Sequence, residues 1–126
     1  MSRIPVRILC VDDEPLLLKL MEVQLASRGY DVFVANNSTS AVCLVKETRP
    51  HIVLLDIKMP DRDGIETLKE ISKIDPNVGF IMVTAVTYHE IYRESIKLGA
   101  FDYVTKPIDF DYLETAILVK YNKLIG

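Results

Sequence analysis

Apolar runs alternate with amphipathic stretches along the whole chain. Arg7-Ile8-Leu9-Cys10-Val11 is a short apolar run that stops abruptly at Asp12-Asp13-Glu14-Pro15. It reads as a strand followed by a helix. Pro15 suits the first helical turn, and the acids before it suit the positive end of the helix dipole. This first helix is expected to reach about Arg28 and stop at Gly29, a good left-handed terminator. Leu17, Met21 and Leu25 form its predicted core stripe; Leu16, Leu20 and Val23 lie on a neighbouring side and read as a widening of that stripe, the alternative being a docking face for partner helices. Alternation around Val32 and Val34 predicts a second strand over Asp31 to Ala35. Asn36-Asn37-Ser38 offers caps for a helix through Ala41, Val42, Leu44 and Val45, which Pro50 ends at Arg49.

Ile52-Val53-Leu54-Leu55 then runs straight into Asp56. A run that apolar predicts a strand buried on both faces. Its last side chain falls at the carboxyl edge of a parallel sheet, where open α/β folds keep their ligands. A loop from Ile57 to Gly64 leads to a helix with Ile65, Leu68, Ile71 and Ile74 at helical spacing. Asp75-Pro76-Asn77 reads as a turn and Gly79 to Thr84 as the fourth strand. A helix over His89 to Leu98 ends at Gly99, Asp102 to Thr105 is the fifth strand, and Asp109 caps a final helix after Lys106-Pro107. Strict alternation predicts an α/β fold, a doubly wound five-stranded parallel sheet with five helices, (βα)5.

The totals narrow the class. The chain has 126 residues, expected to form a single domain over 1–126. Hydrophobic residues make up 49% and charged residues 26%, a soluble globular composition. A net charge of −3 at pH 7 argues against a nucleic-acid surface. No apolar run reaches the ~20 residues of a membrane span and no secretory leader is seen, so the expected location is cytoplasmic. Cys10 in a strand and Cys43 in a helix read as two buried thiols rather than a disulfide. His51 and His89 lack partners at zinc-ligand spacing.

Parallel strands bring their carboxyl ends to one edge, so Asp12, Asp13, Asp56, Thr84 and Lys106 converge there. Crowded carboxylates repel one another and favour a bound cation. Clustered Asp oxygens suit a hard ion such as Mg²⁺. With Lys106 as fixed positive charge and Thr84 as hydroxyl donor, these are the parts for phosphoryl transfer to an Asp oxygen. Singly, each has a plainer reading. Asp13 is a helix N-terminal acid, Asp56 a loop cap, Thr84 the end of a β-branched strand, Lys106 a solvated charge and Tyr103 a half-buried strand aromatic.

Four motifs in order carry a resemblance. They are Val11-Asp12-Asp13-Glu14-Pro15, Leu55-Asp56-Ile57-Lys58-Met59-Pro60 with Asp63-Gly64, Val83-Thr84-Ala85, and Gly99-Ala100-Phe101-Asp102-Tyr103-Val104-Thr105-Lys106-Pro107. Over essentially its whole length the chain resembles the CheY-like receiver domain of bacterial two-component response regulators. The resemblance implies a flavodoxin-like strand order 2-1-3-4-5 and a phospho-acceptor rather than an enzyme, one that assists its own phosphorylation and dephosphorylation. It makes Asp56 the acceptor and Asp13 a direct Mg²⁺ ligand, with Asp12 holding the ion or a metal-bound water. The backbone carbonyl of Lys58 is a further ligand. Thr84 would hydrogen-bond the phosphoryl group, Lys106 would pair with it, and Tyr103 would be the aromatic that turns inward when Thr84 moves. Lys58 and Val86 would flank the attacking water, and the Lys106-Pro107 bond is expected to be cis. The implied partners are a histidine kinase or phosphotransfer protein, an output domain or target protein, and a second copy of the chain, with no direct nucleic-acid or membrane binding. Ser38, Ser95 and Leu98 depart from the residues usual in the family.

Three readings compete. A flavodoxin would cradle phosphate in its first loop, but Asp12-Asp13-Glu14 repels it. A phosphatase of the haloacid-dehalogenase type wants Asp-x-Asp, not adjacent acids, and usually a cap domain. A pseudo-receiver would lack part of the acid, threonine and lysine set.

Overall fold

The computed structural model describes residues 5–56, 64–84 and 100–125. Strands β1 (Arg7–Val11), β2 (Asp31–Ala35), β3 (Ile52–Leu55), β4 (Gly79–Thr84) and β5 (Ala100–Thr105) form one sheet in the order β2-β1-β3-β4-β5. All neighbouring pairs are parallel. Helices α1 (Pro15–Ser27), α2 (Ser38–Thr48) and α3 (Gly64–Ile74) and the C-terminal helix Phe110–Ile125 connect or follow the strands. The helix expected over His89 to Leu98 lies outside the described residues.

Strand alternation sorts the core into two layers. Leu9, Val11, Val53, Leu55, Phe80 and Met82 face α2 and α3, packing with Ala41, Val45, Leu68 and Ile71. Ile8, Cys10, Ile52, Leu54, Ile81 and Val83 face the other way, onto Leu18, Met21 and Leu25 of α1 and Leu113 and Ile117 of the C-terminal helix. The four residues of β3 are fully buried, as a central strand covered on both faces requires. Burying one such side chain contributes about 1.5–3 kcal/mol.

Local chemistry sets the ends. Asn37 caps α2 by accepting the Ser40 N–H at 2.8 Å. The helix stops at Thr48, one residue before the expected end, because Arg49 turns left-handed at φ 49°. The Arg7 guanidinium from β1 then donates to the carbonyls of Thr48 and Arg49. Gly29, at φ 96°, ends the α1 turn where few other residues fit. Asp109 Oδ1 accepts the N–H groups of Asp111 and Tyr112 and caps the C-terminal helix. β5 starts two residues earlier than expected, with a register shift opposite Phe80 and Ile81. His51 accepts the Arg7 N–H on Nδ1 at 2.9 Å and meets the Tyr121 ring edge-on, a structural role.

Two expectations need correction. Leu16, Leu20 and Val23 do not widen the core stripe: they are 87%, 46% and 51% exposed. The buried stripe is Leu18, Met21 and Leu25, with Leu17 at its margin. At 3.6 residues per turn the exposed three lie about half a turn round the axis from it. Cys43 is exposed, because α2 turns Ala41, Val42 and Val45 to the sheet instead; Cys10 is buried and both thiols are free.

Candidate functional site at the carboxyl edge of the sheet

β1 lies between β2 and β3, and the parallel ladders continue one residue past it. The Asp12 N–H donates to the Ala35 carbonyl at 3.2 Å, and the Asp56 N–H donates to the Val11 carbonyl at 3.0 Å. Backbone pairing therefore fixes Asp12 and Asp56 side by side at adjacent strand ends. Their side chains are buried, whereas Asp13 is exposed. One carboxylate oxygen from each of Asp12, Asp13 and Asp56 falls within 4.8 Å of the others. An all-oxygen, all-anionic donor set fits a hard divalent cation better than a soft one.

Lys106 reaches this cluster from the end of β5. Its Nζ lies 2.7 Å from Asp12 Oδ2, 3.3 Å from Asp56 Oδ2 and 3.1 Å from Glu14 Oε1. Asp12 Oδ1 accepts the Glu14 N–H at 3.0 Å, so both Asp12 oxygens are engaged. The Lys106–Pro107 peptide is cis. Burial raises the Asp12 carboxyl above its usual range, the hydrogen bonds from Lys106 and Glu14 oppose that, and the Asp56 charge adds to it. Burial alone would lower the Lys106 ammonium, but its bonds to Asp12 and Glu14 outweigh burial and raise it. Lys106 therefore keeps its proton at any physiological pH.

Asp12, Asp13, Asp56 and Lys106 are thus brought together. Tyr103, on β5 three residues before Lys106, is half-buried against the α2–α3 layer. Burial and the Asp56 charge raise its hydroxyl pKa. Thr84 ends β4 as expected, but its hydroxyl, like Lys58 and Val86, lies outside what the structure describes. Sequence reads Glu14 only as an acid at the start of the first helix and in a phosphate-repelling loop; in the structure its carboxylate joins the ion cluster. The signal was its place in an acidic run two residues after Asp12, where an Asx turn directs it back over the strand end.

Residues 8–118 match the family described as the response regulator receiver domain. The regulatory protein AtoC of Escherichia coli (strain K12) is 39% identical over 111 residues, covering 88% of this chain and 24% of AtoC. Sporulation initiation phosphotransferase F of Bacillus subtilis (strain 168) is also 39% identical over 111 residues, covering 88% of this chain and 90% of that protein. Among solved structures, a CheY-like response regulator receiver domain protein from Methanospirillum hungatei JF-1 superimposes with a TM-score of 0.92 at 30% identity, covering 96% of this chain and 97% of that one. The chain spans about a quarter of the length of AtoC and of the ZraR-type transcriptional regulators that it also matches.

Proposed function

The chain belongs to the response regulator receiver domain family, and from that premise we propose that Asp56 is its phospho-acceptor. Receiver domains are signalling phospho-acceptors of two-component systems rather than classical enzymes. The observation that supports Asp56 is the buried carboxylate whose Oδ2 lies 3.3 Å from an ammonium already shared with Asp12. In the proposed step an Asp56 oxygen attacks phosphorus, the bond from phosphorus to the donor atom breaks, and an acyl phosphate forms. Lys106 keeps its proton and shifts from carboxylate oxygens to phosphoryl oxygens. The Thr84 hydroxyl donates to the phosphoryl group, and Tyr103 turns inward as Thr84 moves. A Mg²⁺ held by Asp13, Asp56, the Lys58 carbonyl and Asp12, directly or through water, would offset charge on the transferring oxygens. Catalysis of this kind is positioning and electrostatics.

Water attack on the acyl phosphate, flanked by Lys58 and Val86, returns the resting state. The apolar Val86 cannot orient that water, consistent with slow self-dephosphorylation. The surface that changes is the helix expected over His89 to Leu98 together with β5 and the C-terminal helix, and it is read by an output domain, a target protein or a second copy of the chain. We take residues 1–126 as one receiver domain acting in the cytoplasm; no described helix is long and apolar enough to cross a membrane.

Incubation with a phosphodonor and Mg²⁺ should add one phosphoryl mass, located by tandem mass spectrometry on the peptide that holds Asp56. Label on another residue would overturn the assignment. Multiple turnover of a phosphate ester would favour the phosphatase reading, which the family match disfavours.

The exposed stripe of α1 is the proposed contact for the kinase or phosphotransfer partner. Leu16, Leu20 and Val23 are exposed on α1, and Leu20 lines a cleft of about 270 Å³ whose walls include Glu14, Leu17, Lys106 and Pro107. Apolar side chains next to the reacting group suit a partner helix. Leu16→Ala with Val23→Ala should slow transfer from the cognate phosphohistidine about tenfold, as one to two kcal/mol of lost contact predicts. Phosphorylation by a small-molecule donor should stay unchanged. Unaltered transfer from the kinase would remove this docking surface.

A further inference from the structure

Glu14 has no part in the mechanism above, yet its carboxylate completes the ion cluster. Its backbone is held on both sides: the N–H donates to Asp12 Oδ1 at 3.0 Å, and the carbonyl accepts the Leu18 N–H at 3.0 Å to open α1. The side chain makes no capping bond to the helix. It reaches instead to Lys106, with Oε1 3.1 Å from Nζ. The Glu14 side chain is 63% exposed, against 2% for Asp12 and 7% for Asp56. Glu14 is therefore the solvent-facing partner of an ammonium whose other partners are buried.

We propose that Glu14 is a specificity-determining residue of phosphoryl acceptance, setting the charge that a donor meets and holding Lys106 until a phosphoryl oxygen displaces it. This rests on Asp56 being the acceptor. Oxygens of Asp12, Asp13 and Asp56 lie close enough to share one cation, but Glu14 is outside that group and is offset by Lys106. An incoming phosphoryl group is anionic. It meets Glu14 as a like charge and competes with it for the same ammonium. The donor's bond to phosphorus breaks and the Asp56 oxygen–phosphorus bond forms, while Lys106 exchanges one anionic partner for another and retains its proton. Repulsion scales with the donor's charge, so Glu14 discriminates against dianions more than monoanions.

The test uses the full chain with Mg²⁺ and two donors near pH 7: acetyl phosphate, a dianion, and phosphoramidate, which carries a single net negative charge. Initial rates are read by intact-mass spectrometry at about 20 mM and about 500 mM salt. Glu14→Gln should raise the second-order rate constant with acetyl phosphate roughly threefold to tenfold at low salt, and with phosphoramidate by less than about twofold. The gain should vanish at high salt. Glu14→Asp keeps the charge and should keep the parental ratio between donors. The proposal falls if Glu14→Gln matches the parent at low salt, if its gain is equal for both donors and independent of salt, or if Glu14→Asp shifts the ratio as far as Glu14→Gln. A parent chain that takes no label from either donor overturns the Asp56 reading itself, whereas a labelled parent matched by Glu14→Gln overturns only the role of Glu14.

Discussion

Asp56→Asn should take up essentially no phosphoryl group from acetyl phosphate in Mg²⁺ and should fold about as stably as the parent. The amide is isosteric with the carboxylate but is no nucleophile, so label should fall by at least about a hundredfold. The stability expectation follows from the ion cluster. Asp12 remains paired with Lys106 at 2.7 Å, and Glu14 still contacts the same ammonium at 3.1 Å. The weakest of the three contacts, at 3.3 Å, loses its charge. Removing one of several crowded anions also relieves repulsion, so the two effects should nearly cancel, to within about 1 kcal/mol. Intact-mass spectrometry and thermal unfolding check both parts. Label at the parental rate would mean that another residue is the acceptor. A large loss of stability would mean that Asp56 anchors the fold.

The sheet and its edge were legible in sequence because a parallel sheet translates chain order into position. The first, third and fourth strands announced themselves as apolar runs that end at a polar residue on the same edge. Pattern alone therefore placed Asp12, Asp56 and Lys106 within reach of one another. The outer face of α1 was harder to read. Leu16, Leu20 and Val23 are as apolar as Leu18, Met21 and Leu25, so composition could not say which stripe faces the sheet. That is decided by helix phase, which Pro15 and the Asp12 turn set together. Cys43 was misjudged for the same reason, one step round α2 from the buried Val42. The acidic run marks Glu14 as a neighbour of Asp12, but its ion pair with Lys106, 92 residues away, has no local signature. Its partner is set by where β5 ends relative to β1, a tertiary fact.

Lys106→Met should separate what the ammonium does for folding from what it does for chemistry. The substitution keeps much of the side-chain bulk and leaves the buried Asp12 and Asp56 without their shared cation. Breaking a buried pair costs about 3–5 kcal/mol when the remaining charge has no escape. Here it has one, because a carboxyl can take up a proton, so in chelator near pH 7 the loss should be nearer 1–3 kcal/mol. The pH dependence follows from Asp12. Burial already raises its carboxyl pKa, and the Lys106 hydrogen bond is the first influence that opposes burial. Without Lys106 the folded chain holds a proton on Asp12 at pH values where the unfolded chain, at an ordinary carboxyl near 3.9, does not. More protons bound in the folded state means that stability rises as pH falls towards that value. The deficit of Lys106→Met against the parent should therefore shrink between about pH 7 and pH 5, and adding Asp12→Asn should remove most of it at both. Phosphoryl uptake should not recover in the double variant, since no fixed charge remains to meet the phosphoryl oxygens, and it should stay about a hundredfold or more below the parent. Urea unfolding at the two pH values, with mass-spectrometric label uptake on the same samples, measures all of this. A deficit that grows on acidification would show that Lys106 supports the fold through something other than the Asp12 carboxylate.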